Sequence, residues 1–421
     1  MPLMPHNLDA NALRVAIVGG SMGGLTTALL LRTLGHDVNV FERATGELTG
    51  FGAGIVAHEV SVRYFVERTT TSLDDMTVPV RTYRLLDGAG SLLWEEPVAY
   101  RFVSWGSLYR GLLSEFGRER YLQGAALVGF SQDGHGVDLR FASGQQLRYD
   151  LLVLADGVLS TGRQLLFPSV EPVYAGYVAW RGTVAERDIP VRVLERIDDT
   201  ITYALIPNSH ILVYPIPGVD GRVDRGHRRW NFVWYRNVEK GSTFDELMTD
   251  RDGFSHSVSL RPGRVQERYV RELKELAAAA LPHEIASIVT ATEHPFVQAI
   301  MDVESPTMAI GRVCLLGDAA FAVRPHAAAG TAKAPRMHGP SLKRLRHSTA
   351  ICPARCRCGP SIKQRSDQAS SRGRATSEKA RSSAATGGRA IRAYGSASTS
   401  LVIRPFGLAR RARSSLGHPI A

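Results

Sequence analysis

The chain is organised around the segment Leu13–Gly35, with the sequence LRVAIVGGSMGGLTTALLLRTLG. Its first part, Leu13–Val18, is a short apolar and β-branched run, which is typical of a buried parallel strand. A glycine turn follows, and from Leu25 apolar residues recur at helical spacing until Gly35. A second short strand is predicted at Val38–Phe41. This order predicts a β-α-β unit at the start of an α/β domain.

The glycine turn GGSMGG, Gly19–Gly24, has the composition of a phosphate-binding turn. Gly19 suits the tight turn and Gly24 suits close packing of helix on strand, while Ser21 replaces the usual second glycine. Glu42 closes the second strand, where an acid commonly hydrogen-bonds a ribose 2′-hydroxyl. These residues predict a dinucleotide site. The alternative is a plain turn whose glycines serve packing alone.

Two later segments repeat the pattern of an apolar strand that ends in an acid. The strand in Tyr149–Gly157 leads into DGVLSTGR, Asp156–Arg163, and a second strand leads into GDAAFAVRPHAAAGTAKA, Gly317–Ala334. An acid at a strand end can hold sugar hydroxyls beside a helix N-terminus. Between the two segments, residues 172–295 are predicted to form a mostly antiparallel sheet with a helix near Tyr269–Leu281.

The composition excludes several classes of protein. A chain of 421 residues with 44% hydrophobic and 22% charged residues is predicted to be globular, with two to three domains. Its apolar runs are too short for a membrane span, and its N-terminus does not resemble a signal peptide. Four cysteines are too few for a disulfide scaffold, which predicts a reducing, cytoplasmic location.

The net charge of +11 is unevenly distributed. Residues 335–421 contain 15 Arg and 3 Lys but only 2 acidic residues, a net of +16, and residues 1–334 carry −5. A basic tail is one form of nucleic-acid or membrane binder, but this one lacks interleaved aromatic residues. Its Cys352, Cys356 and Cys358 lack a second ligand pair, so we expect no metal site. No nucleic-acid or membrane partner is therefore predicted.

With these three motifs in this order, residues 13–334 resemble the class A FAD-dependent aromatic-ring hydroxylases, a family of flavoprotein monooxygenases. Further segments resemble the 2,6-dihydroxypyridine 3-monooxygenase branch of that family. They are YVAWRGTV (Tyr177–Val184), HILVYPIPG (His210–Gly218), RRWNFVWYR (Arg228–Arg236), PFVQAIMD (Pro295–Asp302) and RPHAAAGTAKA (Arg324–Ala334).

The resemblance implies FAD as cofactor, with NADH or NADPH as co-substrate, and assigns residues to them. Some match the part of the site that holds the ADP half of FAD: Gly19, Gly20, Ser21, Met22, Gly24, Glu42 and Arg43. Others match an arginine that supports the cofactor (Arg110), the motif associated with FAD and nicotinamide docking (Asp156, Arg163), the acid on the ribityl hydroxyls (Asp318) and the loop against the isoalloxazine ring (Pro325).

The implied reaction is hydroxylation of a hydroxylated pyridine or phenol with NAD(P)H and O₂, through a flavin C4a-hydroperoxide. His210, Tyr214 and His326 are the candidate catalytic residues, because Tyr and His can exchange protons with a phenolic oxygen. Trp180 is a weaker candidate. The alternatives are that Trp180 and Tyr214 belong to the sheet core and that His210 lies in a solvated turn. Another class A reaction, such as epoxidation, also remains open.

The predicted fold is α/β: a doubly wound, Rossmann-like FAD domain with an inserted α+β substrate domain of mostly antiparallel sheet. The FAD domain comprises residues 1–171, with a substrate-contacting insert at about 50–105, and residues 296–334. The substrate domain comprises residues 172–295. A small aromatic substrate and O₂ are the expected partners. The sequence does not fix the oligomeric state, and a homodimer is one candidate assembly.

The tail from Pro335 does not match the family, in which a helix continues at this point. The residues PRMHGPSL, Pro335–Leu342, can be encoded as CCN CGN ATG CAY GGN CCN TCN CTN. Read from the third base, this DNA can spell Ala-Asp-Ala-Trp-Ala-Leu-Ala, which is the expected helix. We therefore hypothesise that the frame shifts at Lys333–Pro335 and that residues 335–421 form a disordered basic tail. The product is then expected to be less stable than a frame-restored chain and to retain FAD less well, with loss of activity as the extreme outcome.

Overall fold

The computed structural model describes residues 12–48, 53–322, 324 and 325. The helices in this part of the chain are α1 Met22–Thr33, α2 Glu59–Arg68, α3 Leu73–Met76, α4 Trp105–Phe116, α5 Thr161–Leu166, α6 Val191–Ile197, α7 Ser242–Leu247, α8 Glu267–Ala280 and α9 His283–Ala291. The strands are β1 Arg14–Val18, β2 Asp37–Glu42, β3 Gly54–Val56, β4 Val78–Asp87, β5 Leu92–Ser104, β6 Tyr121–Gln123, β7 Leu127–Gln132, β8 Val137–Phe141, β9 Gln146–Tyr149, β10 Leu151–Leu154, β11 Val173–Ala185, β12 Thr200–Ile206, β13 Ser209–Ile216, β14 Arg229–Asn237, β15 Ser259–Leu260, β16 Phe296–Glu304, β17 Ala309–Ile310, β18 Val313–Leu315 and β19 Phe321–Ala322.

The N-terminal motif forms the centre of a six-stranded sheet with the order β17-β18-β10-β1-β2-β6. Strands β18, β10, β1, β2 and β6 are parallel, and the central strands β1 and β10 have the continuous apolar sequences that are typical of buried parallel strands. Helices α1 and α4 pack together beside it. Its other face packs against the three-stranded sheet β7-β8-β9 through a core that includes Phe41, Leu139 and Leu152. The predicted β-α-β unit and α/β class are confirmed.

The second large sheet has ten strands, in the order β15-β16-β11-β14-β13-β12-β4-β5-β3, with β19 paired to β16. All its pairings are antiparallel except the parallel contact of β12 with β4. Strands from three parts of the chain therefore share it. Residues 54–104, within the predicted insert, supply β3, β4 and β5, and residues 296–304 extend the sheet beyond the predicted boundary at 295.

The two faces of the ten-stranded sheet differ in composition. One face carries Trp180, Trp230 and Trp234 and is covered by α6, α8 and α9 in the largest apolar core. The opposite face is rich in tyrosines, which pack with Phe102, Ala179 and Val233. We call it the tyrosine face, defined by Tyr83, Tyr100, Tyr203, Tyr214 and Tyr235. Among the described residues, no helix is long and apolar enough to cross a membrane.

Candidate active site

The glycine turn between β1 and α1 has a geometry that only glycine tolerates. Gly19 adopts φ +103°, and a Cβ added there would lie 2.2 Å from the carbonyl oxygen of Ala155. A Cβ on Gly24 would lie 1.9 Å from the carbonyl oxygen of Gly19. Ser21 is the N-cap of α1 and makes no side-chain cap, and Met22 is the first helical residue. The first N–H groups of a helix have no intrahelical acceptor, so this turn fits a pyrophosphate.

Glu42 lies directly beside this turn. It is 7% exposed and accepts hydrogen bonds from the backbone N–H of Gly20 at 2.9 Å and of Ala44 at 2.8 Å. An ionised carboxylate has about four acceptor positions, so two remain for ribose hydroxyls. Arg43, the next residue, is exposed. The position of Glu42 fits the predicted role toward the ADP half of FAD.

A pair of tyrosines supports the turn, and sequence reasoning missed it. The hydroxyl of Tyr121 donates to the carbonyl oxygen of Gly20 at 3.0 Å and lies 3.3 Å from the hydroxyl of Tyr109. The hydroxyl of Tyr109 in turn accepts from the N–H of Leu48 at 3.3 Å. The chain of contacts joins β6, α4 and the segment after Glu42. No local motif marks these tyrosines, since they become neighbours only through the tertiary fold.

In the Asp156–Arg163 segment, the side chains of Asp156 and Arg163 both form hydrogen bonds within the protein. The carboxylate of Asp156 accepts from the hydroxyl of Ser160 at 2.5 Å and from the N–H of Gly162 at 3.2 Å, and burial raises its pKa. Arg163 is fully buried and donates to the carbonyl oxygens of Val158 at 2.6 Å and Ala319 at 3.1 Å. The structure thus places Arg163 inside the protein, where it joins two loops, and not on a surface that a nicotinamide cofactor could reach.

Asp318 lies on the short 3-10 turn Gly317–Ala319 that follows β18. Its side chain is exposed, whereas the residues on either side of it are buried. Pro325 is half-buried, and the guanidinium of Arg324 before it forms a two-point contact with Asp302 of β16, at 2.8 to 3.2 Å. The segment that approaches the predicted flavin loop is therefore fastened to the ten-stranded sheet.

The strand order places these residues in a line along one edge of the parallel sheet. Asp318 follows β18, Asp156 follows β10, the glycine turn follows β1, and Glu42 ends β2. Neighbouring strands lie about 4.8 Å apart, so three spacings separate the ends of this line by about 14 Å. An extended dinucleotide along the carboxyl ends of the strands fits this arrangement. The ribityl and ribose acids would lie at opposite ends of it.

Arg110 connects this region to the ten-stranded sheet. It extends from α4, and its guanidinium donates to the carbonyl oxygen of Val219 at 3.0 Å, in the loop between β13 and β14. It also lies close enough to Arg229 to lower the pKa of that residue, after the larger effect of burial. Arg110 therefore reaches the loop of the second sheet, in addition to its predicted support of the cofactor.

Two of the three predicted catalytic residues, His210 and Tyr214, lie on the tyrosine face. His210 is half-buried, with its ring centroid 4.8 Å from that of Tyr235. Tyr214 is 4% exposed, stacks on Phe102 at 4.2 Å and donates to the carbonyl oxygen of Gly54 at 2.8 Å. Burial raises the pKa of Tyr214 above its ordinary value. Trp180 belongs instead to the helix-covered core, and His326 lies outside the described residues.

The chain is similar to known flavin-dependent monooxygenases. Residues 174–302 match the family model described as FAD binding domain-like. The 2,6-dihydroxypyridine 3-monooxygenase of Paenarthrobacter nicotinovorans is 40% identical over 322 residues, which are 76% of this chain and 80% of that protein. The 3-amino-4-hydroxybenzoate 2-monooxygenase of Streptomyces cremeus is 32% identical over 222 residues, 49% of this chain and 54% of that protein.

Solved structures agree with this result. The 2,6-dihydroxypyridine-3-hydroxylase from Arthrobacter nicotinovorans superposes with a TM-score of 0.76 at 37% identity, over 80% of this chain and 85% of that one. Klebsiella pneumoniae HpxO in complex with FAD and uric acid gives a TM-score of 0.64 at 22% identity, over 82% and 83%, and shows the fold alone. The cofactor is FAD, and the chain belongs to the class A FAD-dependent aromatic-ring hydroxylases.

Proposed function

We propose that this enzyme hydroxylates a small pyridine or phenol ring that already carries a hydroxyl group. The observation that carries the proposal is the extent of the similarity to the dihydroxypyridine monooxygenase, 76% of the chain. Because the strands of the two sheets alternate along residues 14–322, a similarity over 322 residues includes strands of both sheets. The family match at residues 174–302 includes β11 to β16, which supply much of the tyrosine face.

The parallel sheet would hold the cofactor through its strand ends. The turn at Gly19–Gly24 with Ser21 and Met22 would bind the pyrophosphate, Glu42 the ribose, and Asp318 the ribityl chain. Arg43 and Pro325 stay assigned to the cofactor. When bound, FAD accepts a hydride from NAD(P)H and activates O₂ for transfer of one oxygen atom to the ring.

The tyrosine face would hold the substrate and its proton. His210 is the residue we assign to proton exchange, because it is half-buried on this face, its ring centroid lies 4.8 Å from that of Tyr235, and an imidazole can both accept and donate a proton. Tyr214 is assigned a positioning role: its raised pKa keeps the phenol protonated, and its hydrogen bond fixes Gly54 at 2.8 Å. His326 follows Pro325 in sequence and remains a candidate that lies outside the described residues.

The test uses the FAD-loaded protein with 2,6-dihydroxypyridine, NADH or NADPH, and ¹⁸O₂. We expect substrate-dependent oxidation of the reduced nicotinamide and a product heavier by one ¹⁸O atom. Phenols and hydroxybenzoates in the same assay define the ring type, and an epoxide product would support the alternative reaction. Flavin reduction that never yields an oxygenated product from any of these rings, either in this chain or in a chain whose frame is restored at Lys333, would contradict the proposal. Light scattering of the same sample tests the candidate homodimer.

A second proposal concerns residues 335–421, which lie outside the described residues. We infer that they are an out-of-frame translation. Residues 1–334 carry a net charge of −5 whereas residues 335–421 carry +16, and the alternative frame restores a helical sequence. Sequencing the gene across the Lys333 codon tests this. A frame-restored chain should retain more FAD, and oxidise NADH faster, than the chain as written. Equal flavin content and turnover would contradict the inference.

A further inference from the structure

We propose that Arg181 and Asn231 on the tyrosine face bind an ionised ring oxygen of the aromatic substrate. This inference rests on the proposed function and makes it more specific. The substrate class it names is a ring that carries a deprotonated hydroxyl when it binds. Both residues lie in segments that resemble the family, YVAWRGTV and RRWNFVWYR, but the resemblance assigned neither of them a role, and neither is among the predicted catalytic residues.

Strand alternation places both side chains on this face. On β11, Trp180 points into the helix-covered core and Ala179 to the tyrosine face, so Arg181 shares the side of Ala179. On β14, Trp230 and Phe232 belong to the helix-covered core and Val233 to the tyrosine face. Asn231 therefore shares the side of Val233, two residues away.

The strand register brings the two residues close together. Arg181 is paired with Val233 across β11 and β14, and Asn231 and Tyr235 lie two positions to either side of Val233. Such diagonal neighbours are about 7–8 Å apart, within reach of an arginine side chain. Arg181 reaches Tyr235, to which it donates a hydrogen bond. The guanidinium is therefore held over the row Asn231, Val233 and Tyr235, toward its Tyr235 end.

Both residues present buried donors that are unsatisfied. Nε of Arg181 and Nδ2 of Asn231 are buried and have no hydrogen-bond partner among the residues that the structure describes. Asn231 itself is fully buried, and its Oδ1 accepts from the N–H of Gly54 at 2.9 Å, which fixes which way the amide points. Unsatisfied buried donors are costly, so each one in a native structure calls for an explanation, such as a bound ligand, ion or water. Two of them on neighbouring strands of one face form a receptor for an acceptor atom.

The donor types select the chemistry of the ligand. A guanidinium and an amide N–H both require an acceptor, and the positive charge favours an anion. The ring oxygen of a deprotonated hydroxypyridine or phenol is such an acceptor. The tyrosines around it, Tyr203, Tyr214 and Tyr235, carry neutral phenols whose pKa values burial raises, so they add no competing negative charge. His210 is the nearby imidazole that could take up the released proton.

The position of the two donors suits oxidation at the ring. Gly54, which is held by Asn231 and Tyr214, adjoins one border of the tyrosine face. Asp302 and Arg324 fasten the segment at the other border. A ring anchored by its oxygen between these borders would carry raised electron density at the carbon beside that oxygen, which is where an electrophilic oxygen atom adds.

The experiment measures equilibrium binding to the FAD-loaded full chain without NAD(P)H. The probes are 2,6-dihydroxypyridine, which can ionise, and 2,6-dimethoxypyridine, which cannot, and the readout is the ratio of their dissociation constants. Loss of a charge-assisted hydrogen bond should weaken binding of the ionisable probe by about 10- to 100-fold. Arg181→Met should therefore collapse the ratio, whereas Arg181→Lys should retain part of it.

Asn231→Asp is the second variant, because it keeps the oxygen that accepts from Gly54 and replaces the free N–H donor by a negative oxygen. Asn231→Asp should weaken the binding of 2,6-dihydroxypyridine at least as much as Arg181→Met does. The matched control is Arg187→Met, an exposed arginine beyond the same strand. Thermal unfolding and FAD content verify that each variant folds.

The outcomes separate the two proposals. Collapse of the ratio in Arg181→Met and Asn231→Asp, with Arg187→Met unchanged, supports this inference. A wild-type ratio retained in both variants overturns it and leaves the proposed function standing. A wild-type protein that binds no hydroxylated ring at all overturns the proposed function, and this inference with it.

Discussion

The parallel sheet offers its ligand an edge, whereas the ten-stranded sheet offers a face. At the edge, the candidate contacts are backbone N–H groups of the glycine turn and acids that directly follow strands, such as Glu42 and Asp318. On the tyrosine face, the candidate contacts are side chains from strands far apart in sequence, such as Arg181 and Asn231. One site is made mainly of main-chain geometry and the other of side-chain chemistry.

This difference determines how each site can fail. A site of backbone groups is sensitive to anything that moves the main chain, including substitutions that never touch the ligand. A site of side chains changes its selectivity with a single functional group while the fold persists. Substitutions at the edge should therefore reduce FAD binding and stability together, and substitutions on the tyrosine face should alter ligand preference alone.

The largest effect is expected at Arg163, whose buried guanidinium links the loop after β10 to the turn after β18. Arg163→Met leaves the carbonyl oxygens of Val158 and Ala319 without their donor, in a fully buried position. The expected loss is about 3 kcal/mol of unfolding free energy, with loss of bound FAD. Urea unfolding and flavin absorbance measure both.

Arg312→Met is the matched control for this variant. Arg312 also donates to two carbonyl oxygens, of Asp150 at 3.1 Å and Gly134 at 2.7 Å, but it lies nearer to solvent. Water can replace its hydrogen bonds, so the expected cost is about 1 kcal/mol or less. If the two variants lost equal stability, the burial of the Arg163 hydrogen bonds would not explain the cost of removing them.

The next effect is steric and falls on the turn itself. Gly24→Ala places a Cβ 1.9 Å from the carbonyl oxygen of Gly19, so the main chain must shift. Overpacking of this kind costs about 1–3 kcal/mol, and we expect FAD affinity to fall by about 100-fold because the pyrophosphate donors move. Titration of the apoprotein with FAD measures the affinity. Gly134→Ala, which has open space around it, should bind FAD like the wild type.

Much of the edge could be predicted from the sequence, and the reason is physical. Each of its parts is a continuous segment in which an apolar strand leads into a glycine or an acid, and carboxyl ends of parallel strands meet at one edge. Arg163 shows the limit of this argument. Its motif indicated a place near the cofactors, but only the tertiary fold shows that its guanidinium points inward, to Ala319.

The tyrosine face could be predicted only in part. His210 and Tyr214 were accessible because they lie on one strand in a segment that resembles the family. Arg181 and Asn231 also lie in segments that resemble the family, but on two different strands. Their proximity depends on the register between β11 and β14, and a shift by one residue would turn each side chain to the other face. The pairing of Gly54 with Asn231, across 177 residues, leaves no trace in local sequence.

A smaller effect tests whether side chains behind the glycine turn also contribute to FAD affinity. Tyr121→Phe removes the hydroxyl that donates to the carbonyl oxygen of Gly20 at 3.0 Å. One neutral hydrogen bond contributes about 1 kcal/mol, so FAD affinity should fall by about 5-fold. Tyr149→Phe removes a phenol that accepts from Asn39 at 2.8 Å on the other side of the same sheet. It should cost similar stability without changing FAD affinity, and equal FAD affinities in the two variants would assign Tyr121 a purely structural role.

The smallest expected effect is a pH dependence that belongs to the ten-stranded sheet. Tyr174 donates to the carbonyl oxygen of Val238 at 2.9 Å, and burial raises its pKa to about 12 from an ordinary value of 10.0. The folded state thus keeps a proton that the unfolded state releases. The stability contributed by this phenol is complete below pH 10 and is lost as the pH rises to about 12. Since Tyr174 is partly exposed, we expect a loss of about 1 kcal/mol or less.

Tyr174→Phe isolates this contribution, because every other titrating group is common to both proteins. The variant should be less stable than the wild type at pH 9, where it lacks the hydrogen bond to Val238, and the difference should shrink at pH 11.5. Urea unfolding at the two pH values measures it. A difference that stayed constant would mean that the Tyr174 phenol titrates alike in the folded and unfolded chain. The alkaline sensitivity would then have to come from elsewhere, and Tyr121 at the edge, whose pKa burial also raises, would be the next to test.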